Sequence, residues 1–173
     1  MDKKGGEKVK VKKNEKEILR ILEGNARQSD AEIARMTGMT ATEVKESIAD
    51  LERRGIIRRY KAVINYEKAG VEIVQALIDV HVTPERDTGY DSVAKRIARF
   101  PEVKSVRLVS GEYDLLVLVT GKTMQEVAYF VAEKIAPLEQ VRNTLTHFLL
   151  KTYKENGEIY GDEEQSKRLA VTL

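Results

Sequence analysis

The chain has 173 residues, of which 42% are apolar and 34% charged, and it contains no cysteine. This composition excludes disulfides and thiol catalysis, and no apolar run approaches the roughly 20 residues that span a bilayer. The basic start "MDKKGGEKVKVKK" leads into no signal-like apolar segment, so we expect a cytoplasmic protein without membrane contact. With only two histidines, His81 and His147, neither a His-rich metal site nor a cofactor is expected.

The charges are distributed unevenly along the chain. Residues 1–70 hold 17 Lys and Arg against 12 Asp and Glu, whereas the remainder holds 13 against 16. This asymmetry indicates that a polyanion would meet the first half of the molecule. Charged helices alone could also produce it.

The first 13 residues carry six lysines and two glycines and show no hydrophobic periodicity. We interpret residues 1–13 as a flexible basic arm, with a solubilising leader as the alternative. Apolar residues then recur at helical spacing from Ile18 to Leu22, and Gly24 followed by Asn25 ends this first predicted helix.

Two short capping patterns follow the first helix. Ser29 with Glu32, and Thr40 with Glu43, each place a hydroxyl residue three positions before a glutamate, which predicts two further helix starts. Gly38 between them can adopt the left-handed conformation that ends a helix. The third helix is expected to turn Val44, Ile48 and Leu51 inward and to end at Gly55, and a strand is predicted over Ile57–Ile64.

The spacing of Ala34, Gly38 and Val44 is typical of a helix-turn-helix. A small residue allows the helices to cross closely, a glycine forms the turn and a branched apolar residue anchors the second helix, whose start can then enter a major groove. We therefore predict a helix-turn-helix domain over residues 14–65 that binds double-stranded DNA.

The predicted DNA contacts are polar residues near the start of the third helix and basic residues around it. They are Thr40, Thr42, Glu43, Lys45, Arg35, Arg58 and Arg59. Threonine and glutamate can contact bases, while arginines supply affinity through phosphates. Arg53 and Arg54 fit equally well as phosphate contacts or as an ordinary charged helix end.

Residues 66–173 alternate between strand and helix patterns. The predicted strands are "IVQALIDVHV", "VKSVRLVS", "YDLLVLVT" and "VRNTLTHFLL", with helices over Tyr90–Phe100 and Thr123–Ala136. This βαββαβ order is the ferredoxin-like plan, in which both helices cover one face of an antiparallel sheet. The fold class is therefore α+β. Asn156-Gly157 predicts a tight hairpin, and "RLAVTL" a final strand.

The predicted third strand of this domain is apolar on both sides, as in "LLVLV" from Leu115 to Val119. A strand with two apolar faces is usually buried on both. Because the helices cover one face, we expect a homodimer formed through the other.

The segment "SGEYD", Ser110–Asp114, joins the two middle strands. Gly111 would allow a ligand close to the backbone, while Tyr113 and Asp114 offer an aromatic wall and a carboxylate. Thr144 and Thr146 point in one direction from the last strand. A ligand site and a plain hairpin turn are both compatible with this pattern.

From about Asn14 to Lys151 the chain resembles the Lrp/AsnC family of leucine- and asparagine-responsive regulators. The resemblance rests on "ILRILEGNARQSDAEIARMTGMTATEVKESIADLERRGIIRRYKAVIN" and "FPEVKSVRLVSGEYDLLVLV". It implies a winged-helix-type DNA-binding domain, an amino-acid effector bound near Gly111, Tyr113 and Asp114 with Thr144 and Thr146 nearby, and dimers that assemble further, often to octamers. The third helix, "ATEVKESIAD", lacks the arginines common in the family.

Two other function classes compete with this prediction. Sirohaem decarboxylases share the architecture, but such chemistry would need a substrate-binding set of His, Arg and Tyr in the second domain, and the two histidines fit better as packed or surface residues. The other alternative is an effector-binding partner protein without strong DNA binding. We expect a transcriptional regulator and no enzyme.

Overall fold

The computed structural model describes residues 10–160. It divides the chain into two compact units, one ending at Ala62 and the other beginning at Val63. The predicted final strand in "RLAVTL" and most of the basic arm lie outside the described residues.

The N-terminal unit contains three helices, α1 (Lys13–Gly24), α2 (Asp30–Thr37) and α3 (Ala41–Arg53). Both predicted capping boxes are present at the starts of α2 and α3. In each, the hydroxyl accepts from the backbone N–H three residues on, and the glutamate accepts from the backbone N–H of the capping residue, which satisfies two otherwise unpaired donors.

The turn between α2 and α3 forms as the sequence predicts. Gly38 has φ +71°, a left-handed conformation that costs glycine little. Ile18, Ile33, Ala34 and Val44 pack together as the core of this unit, and Leu51 is also fully buried. Ala34, Gly38 and Val44 thus occupy the positions of a helix-turn-helix.

The predicted strand over Ile57–Ile64 is wrong. Within the described residues this segment has no strand hydrogen bonds. The amides of Ile56 and Ile57 instead donate back to the carbonyl of Leu51, which closes the end of α3 as a turn. A β-strand exists only where its backbone groups pair with another strand. The alternation of apolar and basic residues was therefore not enough to predict a strand here.

The C-terminal unit is a four-stranded antiparallel sheet with two helices. Its main elements are β1 (Val74–Val82), α4 (Asp91–Ile97), β2 (Val103–Leu108), β3 (Leu115–Gly121), α5 (Met124–Phe130) and β4 (Val141–Phe148). The strand order is β2-β3-β1-β4, which is the ferredoxin-like arrangement.

The core of this unit lies between one face of the sheet and the helices. β1 contributes Ala76, Ile78, Val80 and Val82, and these residues pack with apolar residues of β3, α4 and α5. Gly121 lets α5 approach closely, because a Cβ atom there would lie 2.9 Å from Cγ2 of Val127.

Two irregular features complete the unit. α5 continues into a π-helical turn, Val131–Ile135, so the predicted helix over Thr123–Ala136 is divided in two. The predicted tight hairpin is confirmed: β5 (Lys154–Glu155) pairs with β6 (Glu158–Ile159). Both turn residues have positive φ, 49° at Asn156 and 92° at Gly157, as a primed two-residue turn requires.

Candidate functional site

The exposed start of α3 is organised by its cap. Thr40 Oγ1 accepts from the Glu43 backbone N–H at 3.2 Å, and the Glu43 carboxylate accepts from the Thr40 backbone N–H and hydroxyl, each at 2.8 Å. These hydrogen bonds lower the pKa of Glu43, so its carboxylate is charged at neutral pH. Two of the predicted DNA contacts therefore also fix where α3 begins.

The remaining predicted DNA contacts are exposed side chains of the same unit. Thr42 and Lys45 lie on the outer surface of α3, Arg35 on the last turn of α2, and Arg58 and Arg59 in the segment after α3. Thr42 and Lys45 are therefore exposed near the capped start of α3, whereas Arg58 and Arg59 are exposed in the segment that follows its end. This arrangement is suited to contact with base edges and phosphates.

Arg54 is a structural residue rather than an exposed cation. Its Nη1 lies 2.7 Å from Asp50 Oδ2 and 3.1 Å from Glu15 Oε1, and its Nη2 donates to the carbonyl oxygen of Lys10. Glu15 is buried and also accepts from the backbone N–H of Lys12. Arg54 thus ties α3 to the start of α1, whereas Arg53 is exposed and pairs with Asp50.

A tyrosine anchors the segment that carries Arg58 and Arg59. The Tyr60 hydroxyl donates to Glu52 Oε1 at 2.9 Å. Partial burial and the adjacent Glu52 carboxylate raise the pKa of Tyr60 to about 12, so the hydroxyl remains a donor at neutral pH. This contact holds the segment against α3. Nothing in the local sequence pattern pointed to it, since the segment was predicted as a strand.

The turn Ser110–Asp114 between β2 and β3 is exposed at its glycine. Gly111 has φ +154°, and a Cβ atom there would meet nothing within 4 Å. Asp114 holds the other end of the turn: its backbone N–H donates to Val80 O, and its Oδ2 accepts from the Val82 backbone N–H at 2.9 Å. A carboxylate has further lone pairs, so Asp114 retains acceptor capacity.

Thr144 and Thr146 are half-buried on β4, at positions in register with β1. Thr144 is the partner of Val80 and Thr146 of Ile78, so both lie on the helix-covered face. Val80 is also the partner of Leu115, next to Asp114. Thr144 therefore lies at the same end of the sheet as the turn, about two strand spacings away, and Thr146 lies one pair further along.

The face of the sheet away from the helices is partly apolar. Leu77, Leu116 and Leu118 are half-buried on it, and Leu145 is 55% exposed. Among them Asp79 is only 7% exposed, and its Oδ2 lies 2.8 Å from Nε2 of His147. The sequence prediction missed this pair, although a single acid inside the strand "IVQALIDVHV" was a visible sign.

Within residues 10–160, no helix is long and apolar enough to cross a membrane. The same part of the chain contains no group of three or more His, Asp or Glu side chains that could hold a metal ion.

The fold and these surfaces define a helix-turn-helix protein with a separate ferredoxin-like domain. The family models agree: residues 12–58 match "Winged helix-turn-helix DNA-binding" and residues 75–159 match "Lrp/AsnC ligand binding domain". The chain is 46% identical over 165 residues to the HTH-type transcriptional regulator YugG of Bacillus subtilis (strain 168), covering 95% of this chain and 99% of that protein. It belongs to the Lrp/AsnC family of transcriptional regulators.

Solved structures agree with the family assignment. The transcriptional regulator NMB0573 of Neisseria meningitidis, in complex with L-Met, is 25% identical with a TM-score of 0.65, covering 84% of this chain and 94% of that one. AsnC of E. coli shares the fold at 20% identity and a TM-score of 0.65, covering 84% of this chain and 96% of that one.

Proposed function

We propose that this regulator places the start of α3 in the major groove of double-stranded DNA. Thr42 and Lys45 would contact base edges, with Thr40 and Glu43 at the cap beside them, and Arg35, Arg58 and Arg59 would contact phosphates. The observation that supports this most is the exposed, capped start of α3, in a unit whose Arg35, Lys45, Arg58 and Arg59 side chains are also exposed. Arg54 is excluded from the set because it ties α3 to α1.

Titrating labelled duplexes at several salt concentrations tests this assignment. The double substitution Arg58→Ala/Arg59→Ala should weaken binding to all duplexes and reduce the salt slope by about 1.8, since each lost phosphate contact removes roughly 0.9. The matched control is Arg96→Ala/Arg99→Ala, two exposed arginines of the C-terminal unit. Thr42→Ala should instead alter preference among duplexes, by about 1–3 kcal/mol per lost base contact. An unchanged salt slope in the first variant would refute the phosphate assignment.

In this proposal, the C-terminal domain binds an amino acid as its effector. Backbone N–H groups around Gly111 would hold its α-carboxylate, because the space beside this glycine is open. Asp114 would receive its ammonium, and Tyr113, Thr144 and Thr146 would line the approach. The relative solved with L-Met supports the chemical class of the ligand.

Calorimetric titration with the twenty amino acids tests the effector site. Gly111→Asp should abolish binding, because it places a carboxylate where that of the ligand would lie. Gly70→Asp is the matched control, since Gly70 also has positive φ and open space but lies in another turn. Binding that survives in the Gly111 variant, or fails equally in the control, would place the site elsewhere.

Two copies would associate through the open face of the sheet, and such dimers would assemble further, up to octamers. The support is the row of half-buried leucines on that face. Leu145→Lys should weaken association in sedimentation velocity, because it buries a charge in an apolar contact. Leu150→Lys, at a residue 87% exposed and outside the sheet, should leave association unchanged.

A further inference from the structure

The Asp79 carboxylate lies in the middle of the open face. On that face its strand neighbours are Leu116 on β3 and Leu145 on β4, the cross-strand partners of Asp79. Burying a carboxylate among leucines is unfavourable unless a charged or hydrogen-bonding partner accompanies it. His147 supplies that partner, with Nε2 at 2.8 Å from Asp79 Oδ2.

His147 differs from Asp79 in its access to water. Its side chain remains 50% exposed, against 9% for that of Asp79. If another sheet covered this face, it would therefore remove water chiefly from His147. The charge state of His147 would then decide whether an ion pair or a lone carboxylate charge becomes buried.

The other charged and titratable groups of this face are few among the described residues. Arg107 on β2 pairs with Leu116, His81 lies on β1 beside Asn143, and β3 presents leucines and Thr120. Lys104 and Arg142 occupy the unpaired positions where β2 and β4 bulge. Among these described groups Asp79 is the one acid, and a second copy of the same face would cover it together with the half-buried leucines around it.

We propose that the Asp79–His147 pair lies within the contact between two copies of this sheet and couples their association to proton uptake. The inference rests on the proposed dimer. With His147 neutral, association would bury an Asp79 carboxylate that has at most a hydrogen bond and no opposite charge beside it, whereas with His147 protonated it buries an ion pair of zero net charge. Association is therefore tighter when His147 carries a proton, and each dimer binds up to two protons as it forms.

The sign of the pH effect follows from this coupling. Histidines gain a proton as the pH falls from about 8 to about 6. Two protons per dimer set a limit of roughly hundredfold per pH unit on the change in the dimer dissociation constant. We expect tightening of at least about tenfold between pH 8 and pH 6.

Sedimentation equilibrium of the full chain at pH 6, 7 and 8 measures this dependence. His147→Gln and Asp79→Asn should each flatten the pH profile, because each removes one member of the pair. His81→Gln is the matched control, since it removes the other histidine of the same face and should leave the profile intact. Circular dichroism of each variant checks that the sheet remains folded.

Each outcome is decisive. A dimer whose dissociation constant is independent of pH would overturn the proton coupling but leave the sheet dimer standing. A pH profile that persists in His147→Gln, or disappears equally in His81→Gln, would also overturn it. A wild-type chain that is monomeric at every pH would overturn the sheet dimer and the coupling together.

Discussion

Within each of the two units of this regulator, the stabilising contacts join residues at very different separations in the sequence. In the N-terminal unit the caps of α2 and α3 link residues three positions apart, and one turn separates the two helices. In the C-terminal unit β1 is paired with both β3 and β4, and the Asp79–His147 contact joins residues 68 positions apart. Apart from the Arg54–Glu15 contact, which joins residues 39 positions apart, the small unit thus depends on few buried side chains and on local caps, and the large one on long-range strand pairing.

The largest expected effect separates the two units by stability. Leu51→Ala removes a fully buried side chain from the N-terminal unit, and should cost about 2–5 kcal/mol. Because the core of this unit is small, the helices should unfold while the sheet persists, which appears as two thermal transitions. Met36→Ala, at a residue 59% exposed on α2, is the control. A single cooperative transition that unfolds both units would contradict this difference in stability between them.

A close contact in the C-terminal unit gives the next largest effect. Gly121→Ala would bring a methyl group within 2.9 Å of Val127 Cγ2 and 3.3 Å of Glu126 Oε2. Overpacking of this kind costs about 1–3 kcal/mol, which chemical denaturation would measure. Gly24→Ala at the end of α1 meets nothing within 4 Å and should be neutral or stabilising. Equal effects at the two glycines would show that packing against α5 does not matter.

The two capping boxes allow a finer test within the N-terminal unit. Ser29→Ala and Thr40→Ala should each reduce its stability by about 1 kcal/mol, because each leaves a helix-end N–H without its side-chain acceptor. The proposed DNA contact predicts that only Thr40→Ala also weakens DNA binding beyond the loss of folded protein. Thermal unfolding and duplex titration, measured on both variants, distinguish a stability effect from a contact effect. Equal losses of DNA affinity would remove Thr40 from the proposed contact set.

The smallest expected effect is the acid sensitivity of those caps. Hydrogen bonds from Ser29 and Thr40 lower the pKa of Glu32 and Glu43 below the ordinary value of 4.5. The stability that these hydrogen bonds give the N-terminal unit is therefore present above about pH 4.5. It is lost as the pH falls through the lowered pKa values of the two glutamates. In melting curves from pH 7 to pH 3, Glu32→Gln/Glu43→Gln should flatten the acid limb of the N-terminal transition. Glu23→Gln, at an exposed position on α1, should leave that limb in place.

Sequence reasoning succeeded where the determining contacts are local. The hydroxyl–glutamate spacing at Ser29 and Thr40 located both helix starts, and Asn156-Gly157 located the hairpin. It failed over 57–64, because a strand requires a partner that the local pattern does not specify. Asp79–His147 and Asp114–Val82 were missed for the same reason, since each depends on strand register set by distant residues.

The hydrogen bond from the Val82 amide to Asp114 connects the Ser110–Asp114 turn to a neighbouring strand. The pairing of β1 with β3 ends at Val80 and Leu115, so beyond it the Asp114 side chain, and not a backbone carbonyl, accepts the Val82 amide proton. Hydrogen exchange at this single amide therefore reports the position of a carboxylate 32 residues away in sequence. In an NMR spectrum, the Val82 resonance would serve as a built-in probe of events at the turn, without any label attached to the turn itself.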